Sequence, residues 1–454
     1  MNQSVTNNAI LGMGKTGISL ARFLLRNGER CEGFDEHKVK LPDDLKMPLH
    51  IGSFKADKLS QFDRIIVSPG IRWNDPVLVE LREKQIPVSG DLDLFLEHYK
   101  GSTVAITGTN GKTTATYLAD LMLETLPGGV EAGGNIGTPM LDLLRGKREP
   151  ARVVLELSSF QLERGSALKP EWAVLLNFQS DHADMHDSSE EYLAAKLRMF
   201  EKQGEGDTAM FPADAVWDKQ VWSLGERGVR VLRFGHCDEN DSSSELLTCG
   251  IMQTSNGPAL FWSQNWQRQL IPCEQIPARG RHQHMNMAVA SQIAADYGVN
   301  HDVIRETMSC FKGLKHRLEH IGIKADRDWF DDSKATNPDA AIAALNSFEK
   351  AIWICGGLRK GLDLAPLASV ATKHVSHAFV IGKDPDPYVE ILEQAGVPHT
   401  VAGSVEHAVS MASQLSGNDP VLLSPAAASQ DQFKNYAERG KAFSKAVESL
   451  GGAV

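Results

Sequence analysis

Lys112 and Thr113 stand inside the run Gly108-Thr-Asn-Gly-Lys-Thr-Thr114, and residue types in that order suit a polyphosphate. The glycines let the backbone curl until its N–H groups converge, and a helix starting behind them adds positive potential. Lys112 would lie along the β- and γ-phosphates, and the Thr113 hydroxyl would ligate Mg²⁺. Only two residues separate Gly108 from Gly111, fewer than in the commonest phosphate loop. Glu156 ends the apolar run Arg152-Val-Val-Leu-Glu156 and is followed by Leu-Ser-Ser-Phe-Gln161. A carboxylate there offers the hard oxygen that Mg²⁺ takes. His182 and His186 have the spacing of the zinc-protease helix H-E-x-x-H, but Ala183 stands where the general base would be. Lys196, in Tyr192-Leu-Ala-Ala-Lys-Leu-Arg-Met-Phe200, reads on physical grounds as the solvated face of an amphipathic helix.

These groups need elements to hold them. Thr103-Val-Ala-Ile-Thr107 is apolar and β-branched, which predicts a buried strand, and Ala115 to Glu124 is apolar at helical spacing. Ligands of open α/β sheets collect at the carboxyl ends of strands, so Glu156 should face the Lys112 turn. Upstream, Gly12-x-Gly14-x-x-Gly17 follows a strand, and Asp35 lies 18 residues past Gly17, where a ribose hydroxyl could be held. Taken alone, this fingerprint fits an NAD(P) dehydrogenase, or a tight turn with no ligand. Downstream, Asp332 to Asn337, Gly356-Gly357 and Ser424 to Ser429 each follow a predicted strand. The pattern predicts an α/β chain of three domains, at 1–92, 93–299 and 300–454. Residues 205–280 read as a β-rich insert without chemistry.

Composition narrows the classes. A chain of 454 residues is too long for one core. The net charge of −11, with no long basic run, argues against a nucleic-acid partner. No apolar run is long enough to span a membrane, and Met1-Asn-Gln-Ser4 is unlike a secretory leader. Six scattered cysteines without a C-x-x-C pair suit reduced thiols in the cytoplasm.

Taken together, Gly108–Thr114, Gly134-Asn-Ile-Gly137, Glu156–Gln161, Asp181-His182, Ala195-Lys196, His316-Arg317, Asp332–Asn337 and Ser424–Ser429 resemble the Mur ligases of peptidoglycan synthesis. The resemblance runs in order from Leu11 to the C-terminus. Leu155–Gln161 and Leu423–Phe433 are similar to the branch that adds glutamate to UDP-N-acetylmuramoyl-L-alanine. The resemblance implies a Rossmann-like N-terminal domain, a central P-loop domain and a Rossmann-like C-terminal domain. It implies an ATP-dependent ligase forming an acyl phosphate, with ATP as co-substrate, two Mg²⁺ sites and a monomer. Lys112, Lys196, His182 and Glu156 would be catalytic. Gly108, Asn110, Gly111, Lys112, Thr113, Thr114, Asn286, Arg317 and Asp332 would bind ATP. Thr16, Asp35, Gly70 and Asn135 would bind the UDP-substrate, displacing the NAD reading. Lys334, Thr336, Lys360, Ser424 and Phe433 would hold glutamate. Thr113, Glu156, His182 and a carbamylated Lys196 would ligate metal, which reverses the solvated reading of that lysine. Lys15, Gln283, Phe178-Gln179 and Leu358-Arg359 depart from the usual family residues. The choice between D- and L-glutamate stays open at this stage.

Overall fold

The computed structural model describes residues 6–135, 137–145, 149–165, 168–179, 186, 188–240 and 245–450. These form three sheets. The first holds β1 (Asn7–Leu11), β2 (Arg30–Asp35), β3 (Leu49–Ile51), β4 (Arg64–Val67) and β5 (Val88–Ser89), in the order β3-β2-β1-β4-β5. Every pairing in it is parallel. Parallel strands are covered by helices on both faces, so they need continuous apolar runs. Ala9, Ile10 and Leu11 are accordingly all buried.

The central sheet contains β6 (Ser102–Thr107), β7 (Val130–Gly134), β8 (Arg152–Glu156), β9 (Trp172–Leu175), β10 (Thr208–Pro212), β11 (Arg230–Asp238), β12 (Cys249–Thr254), β13 (Gly257–Gln264) and β14 (Gln267–Pro272). Their order is β14-β13-β12-β11-β10-β9-β6-β8-β7. Side chains alternate across it. Val104, Ile106 and Val154 face the core that also holds Leu118, Met122 and Ile293. Ala105, Val153 and Leu155 face a second core, shared with Ile10, Leu20 and Phe23 of the first unit. Residues 205–280 are therefore not an insert. Strands β10 and β11 continue the parallel sheet from β9, and β12 to β14 extend it as an antiparallel meander.

The third sheet comprises β15 (Glu319–Lys324), β16 (Arg327–Asp331), β17 (Ala351–Cys355), β18 (Val375–Ile381), β19 (His399–Gly403) and β20 (Val421–Leu423), ordered β15-β16-β20-β17-β18-β19. Only β15 runs antiparallel to its neighbour. The helix His301–Cys310, assigned from sequence to the third domain, buries Ile304 and Met308 in the central core. No helix among the described residues is long and apolar enough to cross a membrane. All six cysteines are free, and five are buried.

Candidate active site

The carboxyl ends of β6, β8 and β9 open onto one cleft of about 810 Å³. The turn after β6 is held by Asn177, just past β9. Its Oδ1 accepts from the backbone N–H groups of Thr109 (3.0 Å) and Asn110 (2.8 Å), and its Nδ2 donates to the Asn110 carbonyl at 3.0 Å. Gly111 then caps the helix Lys112–Leu123 in a left-handed conformation, φ 83°. A Cβ there would come within 2.4 Å of Asn286 Oδ1, so the glycine also makes room for the helix Arg281–Asp296. The first turn of the Lys112 helix has no acidic residue and no side-chain cap. Its N–H groups face the cleft as an anion site. Lys112 Nζ folds back onto the Gly108 and Thr109 carbonyls, 2.8 Å each.

Glu156 is 1% exposed at the end of β8. Its Oε1 accepts from Asn135 Nδ2 at 3.0 Å, while its buried Oε2 has no hydrogen-bond partner. Leaving a buried carboxylate oxygen unpaired is costly, and a hard cation would satisfy it.

The solvated reading of Lys196 is overturned. Lys196 is 1% exposed. Its Nζ donates to the Gly108 carbonyl at 3.0 Å and lies 4.4 Å from the ring centre of Tyr192, one helical turn away. That helix face is tucked under the phosphate turn. His182 lies outside the described residues. His186 is buried and pairs with Ser159 Oγ at 2.9 Å.

The third unit closes the cleft from the far side. Arg317 Nη2 donates to Thr113 Oγ1 at 2.6 Å. Burial lowers its pKa, and the charge of Glu156 partly offsets that. Asp332 accepts from the Leu318 N–H (3.1 Å) and from Ser424 Oγ (2.8 Å). Burial raises its carboxyl to about 7. Lys334, 4.0 Å from the Tyr436 ring centre, and Thr336 also line the cleft. Ser424 stands behind Asp332. Lys360 and Phe433 are not among the lining residues: Lys360 is exposed, and Phe433 packs against the core cluster that holds Trp329 and Phe443.

In the first unit, Thr16 sits on the first turn of the helix Lys15–Arg26 and Gly70 is exposed after β4. Asp35 accepts from the Met13 N–H at 2.7 Å, tying the end of β2 to the glycine turn. Neither Thr16, Asp35 nor Gly70 lines the large cleft. Lys15 donates to the Gly137 carbonyl, bridging to the loop that carries Asn135.

Sequence reasoning missed Asn177, His236, Arg281 and His282, all four of which line the cleft. Asn177 follows the apolar run of β9, but its contacts with the Lys112 turn lie 67 and 68 residues away in sequence and arise only from the strand pairing. His236 lies in the stretch read as empty of chemistry. Burial lowers the pKa of His236 and brings His282 down to about 4, so both imidazoles are neutral at pH 7.

Comparison with known proteins agrees with this architecture. The family model of the Mur ligase middle domain matches residues 106–294. That of the MurD-like N-terminal domain matches 6–90, and that of the Mur ligase glutamate ligase domain matches 316–427. The UDP-N-acetylmuramoylalanine--D-glutamate ligase of Nitrosomonas europaea is 33% identical, with 99% of this chain and 98% of that protein covered. The protein of the same name from Methylococcus capsulatus is 35% identical, covering 97% and 94%. Among solved structures, the MurF ligase of Thermotoga maritima in complex with ADP superposes with a TM-score of 0.61 at 17% identity, covering 98% of this chain and 96% of that one. Three matched domains and near-full-length relatives above 30% identity place the chain in the Mur ligase family, in the branch of the UDP-N-acetylmuramoylalanine--D-glutamate ligases.

Proposed function

We propose that this chain joins D-glutamate to UDP-N-acetylmuramoyl-L-alanine at the expense of ATP. The observation that carries the chemistry is the convergence of two units on one cleft: Lys112, Thr113 and Glu156 from the central sheet, and Arg317 from the third, its guanidinium on the Thr113 hydroxyl. The substrate pair rests on the names of the relatives.

The substrate carboxylate attacks the γ-phosphorus, the bridging P–O bond breaks, and ADP leaves. Two anions must approach, so catalysis depends on fixed positive charge. Lys112 and Arg317 supply it, and the unblocked first turn of the Lys112 helix adds its dipole. The glutamate amine then attacks the acyl carbon, the C–O bond to phosphate breaks, and the amine gives up a proton as the amide forms.

The unpaired Oε2 of Glu156 and the Thr113 hydroxyl make an oxygen donor set that fits Mg²⁺. Bound there, the ion would offset phosphate charge. Lys196, as a carbamate, would add a second anionic ligand together with His182. Gly108, Asn110, Gly111, Thr114, Asn286 and Asp332 complete the ATP site in this reading. Thr16, Asp35, Gly70 and Asn135 serve the sugar nucleotide, and Lys334, Thr336, Lys360, Ser424 and Phe433 the glutamate. The enzyme works as a cytoplasmic monomer.

The test is phosphate release with each substrate omitted in turn, run in parallel with D- and L-glutamate. Release should need all of ATP, Mg²⁺, UDP-N-acetylmuramoyl-L-alanine and D-glutamate. Release that ignores the omission of glutamate would leave a bare ATPase, and preference for the L-isomer would move the chain to another specificity.

A further inference from the structure

Arg164 ends the helix Ser159–Arg164 and is 3% exposed. Among the described residues its guanidinium forms no ion pair; Asp91 and Glu163 act on it only through space. Its donors go to backbone carbonyls: Nη1 to Phe160 (2.7 Å) and, more weakly, Pro69 (3.4 Å), and Nη2 to Ile71. Its Nε is buried with no partner. The guanidinium also lies 5.5 Å from the ring centre of Trp73. On that ring Arg82 sits at 4.5 Å, and it donates to the Trp73 carbonyl at 3.0 Å. Gly90 leaves space for this side chain, since a Cβ there would stand 3.0 Å from Arg164 Cβ.

Burying a cation against carbonyls alone is expensive, and an apolar side chain would pack at lower cost. What the arginine holds is therefore the informative point. In the order β3-β2-β1-β4-β5, the chain leaves β1 in one direction and returns on its other side at β4. That is a topological switch point, and ligands of open parallel sheets bind in the crevice beyond it. Its walls are the glycine turn after β1 and the Ser68–Ile71 turn after β4, joined by Ser68 Oγ donating to the Gly12 carbonyl at 2.7 Å. Arg164 grips the second wall. The other end of its helix places Ser158, Ser159 and Phe160 on the phosphate cleft.

We infer that Arg164 is a positioning residue for the sugar-nucleotide substrate: it clamps the 68–71 turn to the helix lining the phosphate cleft and so fixes the span from crevice to reacting carboxylate. This rests on the reading of the first unit as the nucleotide-sugar site. Substrate anchored at one end reaches the phosphate only if that span is fixed, because small misplacements cost large factors in rate.

The test uses the full-length protein and the variants R164M and R164K. In R164M the Kd for UDP-N-acetylmuramoyl-L-alanine should rise at least tenfold and kcat should fall, while the Kd for UDP alone and for a non-hydrolysable ATP analogue stay within about twofold. R164K, which keeps the charge but not the fork, should lie between. Unchanged Kd and kcat in a folded R164M would overturn the inference. So would an equal loss of ATP-analogue binding in R164K, which would mark general destabilisation. A parent protein that binds the ATP analogue but not the nucleotide sugar would instead overturn the assignment of the first unit, and this inference with it.

Discussion

Single charges at the cleft do separable work. Lys112 Nζ bonds the carbonyls of its own turn, and Lys112→Ala should leave the fold and nucleotide-sugar binding intact while lowering turnover by on the order of 10²–10³-fold. Equilibrium binding beside steady-state kinetics checks it; joint loss would mean misfolding. Lys196 is buried beneath the turn, where a bare ammonium is costly and the proposed carbamate would exchange that cation for an anion on the cleft that Glu156 also lines. Lys196→Ala should be inactive and regain part of its activity in millimolar short-chain carboxylate; a fully active variant would return Lys196 to a packing role. His282 offers a pH signature. Burial holds its folded pKa at about 4, below the ordinary 6.5, so the unfolded chain takes up a proton first as pH falls. Stability from this group is fully present above pH 6.5 and is lost toward pH 4, by up to about 1.4 kcal/mol per pH unit. Asp332, raised to about 7, titrates in the opposite sense over an overlapping window, so the comparison must be between H282Q and its parent. H282Q should show a shallower fall of Tm between pH 6.5 and 4.5, and parallel curves would exclude the effect.

The phosphate turn is shaped by three elements at once. Asn177 pins it from β9, Asn286 crowds it from the helix Arg281–Asp296, and Gly111 takes the left-handed φ that links strand to helix. Gly111→Ala adds both backbone strain, about 1–3 kcal/mol, and a clash with Asn286. The KM for ATP should rise at least tenfold over the parent, and G111A/N286A, compared with N286A alone so that the loss of the Asn286 side chain cancels, should still show part of that rise, because the second change removes the clash and leaves the φ. A double variant equal to N286A would place the whole cost in the clash. This element was legible in sequence because its glycines, Lys and Thr are adjacent and their order is local. Asn177 was not, since its role exists only once β9 pairs beside β6. The same holds for β10 to β14. Their short apolar runs announced strands, but nothing local says that β10 pairs with β9 and so belongs to the central sheet rather than to an appendage.

At the scale of the molecule, the sheets meet where Arg317 reaches Thr113. Arg317 was legible only through the family resemblance of the His316-Arg317 pair: its partner lies 204 residues earlier, and no spacing rule carries a contact that far. The guanidinium is buried beside Thr113 and the charge of Glu156, the oxygens proposed for the metal. Arg317 therefore ties the third unit to the cradle that ATP must enter, and in the proposed reading nucleotide binding and the placement of the third unit would share a residue. Arg317→Met removes the tie without leaving a polar orphan of its own. The nucleotide-free variant should give a larger radius of gyration by small-angle scattering than the parent, and phosphate release should fall by about 10²-fold or more. The two readouts separate the roles: a compact but inactive variant would confine Arg317 to charge stabilisation, whereas an expanded variant that keeps its turnover would make it a latch with no part in the chemistry.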